Sequence, residues 1–364
     1  MIASAYIHIP FCKKICSYCD FTKFCYQKKW IKPYLDSLKE EIKINYNNEL
    51  LKTIYIGGGT PTSLDAEELE YLLKITNILK KDSDIEFTME ANLDDLIPSK
   101  IKLLKKYGVN RISIGIQTFN KNLQKILNRV EDYNKLKEAL NLLKENNISN
   151  INLDLMYALP NETLEDLEKD LDLMLSLEIK HISTYSLILE PNTILSINNI
   201  KPIEEDLDLK MYNIICNKLK ENGYNHYEVS NFSKKGFESK HNLTYWNNEK
   251  YYGFGLGASG YIKNYRYTNH QNLNKYLKKD FTKEIEKIDN KKELEYEMIL
   301  GLRKLEGVSN KKFKEKYDKN IIDVFKLNKL IEEKYLIFKN DYLKIPEEKI
   351  FLSNEVLINF LIDD

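Results

Sequence analysis

The chain of 364 residues carries no excess charge: Lys and Arg number 55, Asp and Glu 55. A balanced chain has no global attraction to nucleic acid or to an anionic membrane surface. It also lacks any apolar run near the ~20 residues that a membrane-spanning helix needs. A short apolar stretch at the N-terminus has no cationic segment before it, so it does not read as a secretory signal. Five cysteines, an odd number in a chain of this length, do not make a disulfide framework. These absences favour a reducing compartment, the cytoplasm. There is no low-complexity linker, and no internal repeat beyond an alternation of strands and helices.

What is present begins at residue 12. Cys12, Cys16 and Cys19 lie in HIPFCKKICSYCDF with the spacing C-x3-C-x2-C. Three thiolates can hold three irons of a [4Fe–4S] cluster and leave the fourth without a protein ligand, whereas electron-transfer clusters close all four. The amino and carboxylate groups of S-adenosylmethionine (SAM) can chelate such an open iron. Two plainer alternatives stay open on spacing alone. The trio with His8 could bind zinc, although zinc sites usually pair their cysteines and no second pair exists. The three could also be buried structural thiols.

Across the first two thirds, short apolar runs alternate with amphipathic ones. Strands are expected at 4–9, 53–56, 85–90, 111–117, 150–154 and 181–187, and helices at 31–44, 65–79, 98–107, 133–146, 163–177 and 204–222. Asp65 with Glu68, and Thr163 with Asp166, have the spacing of helix-starting capping pairs. Six βα units in order call for a parallel sheet with right-handed crossovers, and fit an incomplete (β/α)6 barrel better than an open sheet. Residues 223–270, rich in Tyr, Asn and Gly, are expected to form strands and ordered loops that close one end. The remainder turns charged and mostly helical, with a hairpin at 335–345, as a small winged-helix-like C-terminal domain. The expected division is 1–272 and 273–364.

Barrel-type βα proteins place their sites at the C-terminal ends of the strands. Those ends carry Gly57-Gly58-Gly59-Thr60-Pro61, Glu90, Gln117 and Asp154, with Arg129 beyond the fourth strand. Each alone suits a turn or a cap; together they would converge on one mouth. Carbonyls of the glycine run can accept hydrogen bonds from an ammonium. Arg129 can pair a carboxylate, and Glu90, Gln117 and Asp154 suit ribose hydroxyls.

The segments CKKICSYCDF, IGGGTPTSL, RISIGIQTF, DLMYALPNET, STYSLILEPNT and GYNHYEVSNFSKKGFESKHNLTYW resemble, in order over about residues 3–310, the radical-SAM proteins related to oxygen-independent coproporphyrinogen III oxidase. The resemblance implies a radical-SAM barrel with Cys12, Cys16 and Cys19 as cluster ligands. It places Tyr6, Tyr18, Gly58, Gly59, Thr60, Glu90, Gln117, Arg129 and Asp154 against SAM. The family has two kinds of member. The oxidase of porphyrin biosynthesis carries a fourth cysteine two residues after the third and a long N-terminal extension. This sequence has Phe21 at that position and its first cluster cysteine at residue 12, so no such extension is expected. The haem-chaperone kind carries His-Asn-x-x-Tyr-Trp, present here as His241, Asn242, Tyr245 and Trp246. The resemblance thus implies a haem-binding protein without oxidase activity that delivers haem to acceptors such as membrane respiratory enzymes. The alternative it leaves is the coproporphyrinogen dehydrogenase reaction itself. His241 is the implied haem ligand at the mouth: neutral imidazole suits haem iron, and Tyr and Trp offer flat apolar surface. Two departures stand out. Asn128-Arg129-Val130 replaces the usual Gly-Arg-x-His, and Ala91-Asn92-Leu93 lies where proline is common. Cys25 reads as a free thiol, Cys216 as core, and His8 as a neighbour of the cluster or a packing residue.

Overall fold

A computed structural model describes residues 2–362. Its frame is one twelve-stranded sheet. Strands β1 (Ser4–Ile9), β2 (Leu51–Gly58), β3 (Lys81–Ala91), β4 (Arg111–Gln117), β5 (Asn150–Tyr157) and β6 (His181–Ser186) lie side by side in chain order, all parallel. Each is followed by a helix: Lys28–Asn45, Ala66–Ile75, Pro98–Lys106, Tyr133–Glu145, Leu164–Leu175 and Glu205–Glu221. The capping pairs read from sequence start two of them, with Asp65 accepting from the Glu68 N–H and Thr163 from the Asp166 N–H.

Beyond β6 the sheet is finished by an antiparallel hairpin, β7 (Asn225–Glu228) and β8 (Asn231–Ser233). On its other side β1 pairs in parallel with β9 (Tyr251–Phe254), which leads into antiparallel β10 (Ser259–Ile262), β11 (Tyr265–Asn269) and β12 (Thr282–Lys287). The order is β12-β11-β10-β9-β1-β2-β3-β4-β5-β6-β8-β7, so the two edge strands do not pair with each other and the barrel is incomplete.

Strand side chains alternate between two environments, as a period of two requires. Ile7, Ile54, Ile56, Phe87, Met89, Ile112, Ile114, Leu153 and Leu155 are fully buried in the main apolar core. The alternate positions Tyr55, Glu90, Arg111, Ser113, Asn152 and Asp154 line the barrel interior. A polar lumen inside an apolar shell is therefore written into the strands themselves.

Three expectations are corrected in detail. Strand β5 runs on to Tyr157, so Asp154 lies within it and not at its end. The HNLTYW segment, expected as loop, forms the helix Lys240–Trp246, started by Ser239. The main sheet also continues past residue 272 through β12, a strand in a stretch expected to be helical. After it, helices such as Asn290–Gly301 and Asn310–Tyr317 pack with β13 (Val308–Ser309), β14 (Ile337–Lys339) and β15 (Tyr342–Lys344). These strands make a small antiparallel sheet ordered β13-β15-β14, the helix-and-wing layout expected. Among the described residues no helix is long and apolar enough to cross a membrane.

Candidate functional site

A cavity of about 460 Å³ runs from the cysteine loop at the C-terminal ends of the strands down the lumen to Asn242. Its size is that of an ordinary small-molecule site. Cys12, Cys16 and Cys19 all line it, whereas Cys25 is exposed and Cys216 lies in the helix Glu205–Glu221.

The loop that carries the three thiols is held from below by His8. Its Nε2 lies 2.8 Å from the Thr22 carbonyl, an acceptor only, so Nε2 bears the proton. Nδ1 must then accept from the Tyr6 hydroxyl at 2.9 Å. Burial lowers the imidazole to about 4, so it stays neutral. With both nitrogens engaged, His8 is a strut of the loop and not a ligand. Among the described residues no set of three or more His, Cys, Asp or Glu side chains is arranged around one metal ion. Three thiols facing one cavity can each offer a thiolate to one iron of a cluster. Burial pushes the Cys12 thiol up to about 11, while the Thr60 hydroxyl, 3.6 Å from its sulfur, favours the thiolate. Metal binding at such thiols releases protons.

Glycines let the neighbouring groups close in. A Cβ on Gly57 would stand 2.6 Å from the Glu90 carboxyl, and one on Gly58, at φ +108°, 2.3 Å from the His8 ring. Glu90 accepts from the Tyr55 hydroxyl at 2.8 Å and from the Gly58 N–H at 2.9 Å. Burial nevertheless pushes its carboxyl up to about 7. Asp154 is raised by burial to about 6, against the amide of Asn152, which donates to it at 2.7 Å. Gln117 ends β4 at φ +69°, with a buried side-chain oxygen that has no partner. Arg129 is clamped by Glu131 at 2.8 Å and by the Gly115 carbonyl at 2.5 Å, and its other terminal nitrogen lies 3.3 Å from the Cys16 sulfur.

The cavity thus gathers Tyr18, Gly58, Gly59, Thr60, Glu90, Gln117, Arg129 and Asp154 around the thiols. Tyr6 is the exception: it is not among the lining residues, and its hydroxyl serves His8. Arg111, Asn92, Asn152 and Ser183 line the cavity without having been singled out. Three of them lie two residues from another lining position, Arg111 from Ser113, Asn152 from Asp154 and Ser183 from Tyr185, so polar alternation within a strand was the available signal. The set fits a nucleoside sulfonium: a guanidinium for its carboxylate, buried carboxylates and an unpartnered amide oxygen for its hydroxyls and ammonium.

His241 requires a correction. It is not at the mouth: its helix closes the opposite end of the barrel, where Thr244 meets Ser4 at 2.9 Å and Glu86 accepts the His241 N–H at 3.0 Å. The ring is 1% exposed. Its Nδ1 is bonded to the Thr53 hydroxyl and its Nε2 to the Tyr245 hydroxyl, both at 2.8 Å. Burial lowers it to about 3. Both ring nitrogens are thus engaged by hydroxyls and the ring is packed inside the barrel.

An incomplete barrel with three thiols after its first strand and a polar lumen behind them defines a radical-SAM protein. The radical-SAM superfamily model matches residues 6–174, and the HemN C-terminal domain model residues 288–352. The protein named haem chaperone HemW in Lactococcus lactis is 43% identical over 99% of this chain and 98% of its own length. The one so named in Bacillus subtilis is 42% identical, over 98% and 99%. Coproporphyrinogen III oxidase (HemN) from Escherichia coli superposes with a TM-score of 0.87 at 21% identity, over 99% of this chain and 90% of that one, a likeness of fold alone. The chain belongs to the HemW family of radical-SAM proteins.

Proposed function

We propose that this chain is a cytoplasmic haem chaperone: it binds haem and passes it to acceptor proteins, on a barrel whose mouth holds a [4Fe–4S] cluster and SAM. The observation that carries this reading is kinship over the whole length with relatives named haem chaperone, at 42–43% identity. Phe21 supports it, standing at the cavity mouth where the family's oxidase carries a fourth cysteine.

A cluster and SAM at this mouth supply a one-electron couple. The residues do the rest. Cys12, Cys16 and Cys19 offer three thiolates on a loop that His8 fixes through Thr22. Arg129, held by Glu131, presents a guanidinium to the SAM carboxylate. Glu90 and Asp154, each raised toward neutrality by burial, accept hydrogen bonds from hydroxyls when ionised. The reading is tested by anaerobic haem titration of cluster-loaded protein, followed by mixing with an apo-acceptor. Stoichiometric binding and transfer are expected, with no decarboxylation of coproporphyrinogen in the presence of SAM and a reductant. Absence of haem binding, or decarboxylation of coproporphyrinogen, would overturn it.

A further inference from the structure

We propose that haem sits at the open mouth of the barrel, on an apolar rim made by Phe21, Tyr185 and Ile188, with a propionate on Lys14. This rests on the haem-chaperone reading and adds the place. Of the large apolar side chains exposed on this chain, these three line the cavity: Phe21 is 63% exposed, Tyr185 43% and Ile188 70%. Apolar surface that rims an opening and stays wet marks a ligand or partner site. Two more exposed isoleucines, Ile194 and Ile197, lie on the short helix Ile194–Ile197, which is pinned to the cysteine loop through the Leu195 N–H and the Ser17 carbonyl at 3.0 Å.

The rim is built, not loose. Leu187 and Leu195 are buried in a satellite core with Leu123, Leu127, Met156 and Leu159, and the Leu187 N–H is bonded to the Tyr157 carbonyl at 2.9 Å. Ile188 is therefore held outward by a buried neighbour. A preformed apolar edge over a cavity can take one face of a planar macrocycle at little ordering cost.

Charge selects how that macrocycle lies. Lys14 lines the opening, and its ammonium makes no hydrogen bond or ion pair among the described residues, whereas that of Lys23 is engaged by the Cys19 and Phe21 carbonyls. Asp20 and Glu190 also line the opening and would repel a carboxylate beside them. A dicarboxylate macrocycle is thus steered toward the Lys14 side. An uncharged apolar peptide would gain nothing from Lys14, which separates the two occupants experimentally.

The test is an anaerobic haem titration followed by absorbance, on cluster-loaded protein. Ile188→Asp and Phe21→Asp are each expected to weaken haem by roughly tenfold or more, since a buried contact becomes a charge to be desolvated. Iron content and melting temperature should hold, because both side chains face solvent. Lys14→Glu should weaken haem while leaving haem dimethyl ester unaffected. His241→Gln should keep the wild-type haem spectrum and affinity in its folded fraction. Wild-type affinity in both rim variants, or loss of the haem spectrum in well-folded His241→Gln, overturns the rim site while leaving the chaperone reading intact. A wild-type protein that binds no haem fails that reading instead.

Discussion

His241 and Thr53, 188 residues apart in the chain, are joined by a 2.8 Å hydrogen bond that seals the end of the barrel remote from the cysteines. In this structure the histidine of the HNLTYW motif acts as a bolt. Its helix also gives Asn242 to the cavity floor and carries Trp246 against Arg303, 5.8 Å from the ring centroid, on the way to the C-terminal helices.

His241→Ala should therefore act on stability. It leaves the Thr53 and Tyr245 hydroxyls without their partner and opens a hole beside Tyr55, whose ring stacks on the imidazole at 5.2 Å. The expected loss is about 2–4 kcal/mol in denaturant unfolding, from unpaired buried groups and a cavity together. His241→Gln, able to restore one bond, should lose less. Equal stability of wild type and His241→Ala would refute the bolt.

Gly58→Ala should empty the cysteine loop of metal without touching a cysteine. The added methyl would stand 2.3 Å from the His8 ring, at a backbone φ of +108° that strains any other residue. His8 must then give up Thr22, and the loop loses its strut. Wild type should take up roughly four irons per chain on anaerobic reconstitution, and the variant should take up markedly fewer. Full iron content in Gly58→Ala would show that the strut is dispensable.

Much of this was legible in the sequence because it is local or periodic. Six strands, two capping boxes and the thiol spacing need only near neighbours. What was illegible depends on topology or close approach. Strands were expected somewhere in 223–270, but not where: a Cβ at Gly253 of β9 would stand 1.9 Å from the Ser259 carbonyl oxygen, so the glycine is what lets β10 lie against it. In β10, Gly260 makes the same room for the Tyr267 ring, 2.4 Å from its would-be Cβ. The HNLTYW motif was visible, but which end of the barrel it closes follows from a contact 188 residues away. Arg111 opens a strand, yet it is 2% exposed inside the lumen, a placement that depends on how the whole sheet curls.

Glu131→Gln should weaken SAM binding by roughly five- to tenfold, about 1 kcal/mol, since the amide keeps a hydrogen bond to Arg129 and loses only its charge. The substitution keeps the shape but loosens the 2.8 Å clamp on Arg129, leaving the guanidinium, already 3.3 Å from the Cys16 sulfur, less firmly positioned in the cavity. Titrating SAM against the paramagnetic signal of the reduced cluster measures this directly. Unchanged affinity would mean that the Gly115 carbonyl alone positions Arg129.

Stability of the cofactor-free chain should fall as pH rises from about 6.5 to 8. Glu41 is fully buried, and burial raises its carboxyl to about 7, although the Tyr276 hydroxyl, the Gly255 N–H and the Asn269 amide all donate to it. Unfolded, the same group titrates near 4.3. Between those values the folded state holds the extra proton, so stability is greater below the window and is lost as pH climbs through it. Glu90 and Glu228, each raised by burial to about 7, act in the same direction. The buried histidines act oppositely: His8 and His241, lowered by burial to about 4 and 3, and His181, also lowered by burial, each still gain about 0.4 kcal/mol between pH 6.5 and 8 as the unfolded imidazole sheds its remaining proton, so they offset part of the loss from the carboxylates. For Glu41 alone the loss between pH 6.5 and 8 is about 1 kcal/mol. Urea midpoints at the two pH values should differ in wild type and differ less in Glu41→Gln, whatever that variant's absolute stability. The same slope in both proteins would show that Glu41 does not titrate in this range.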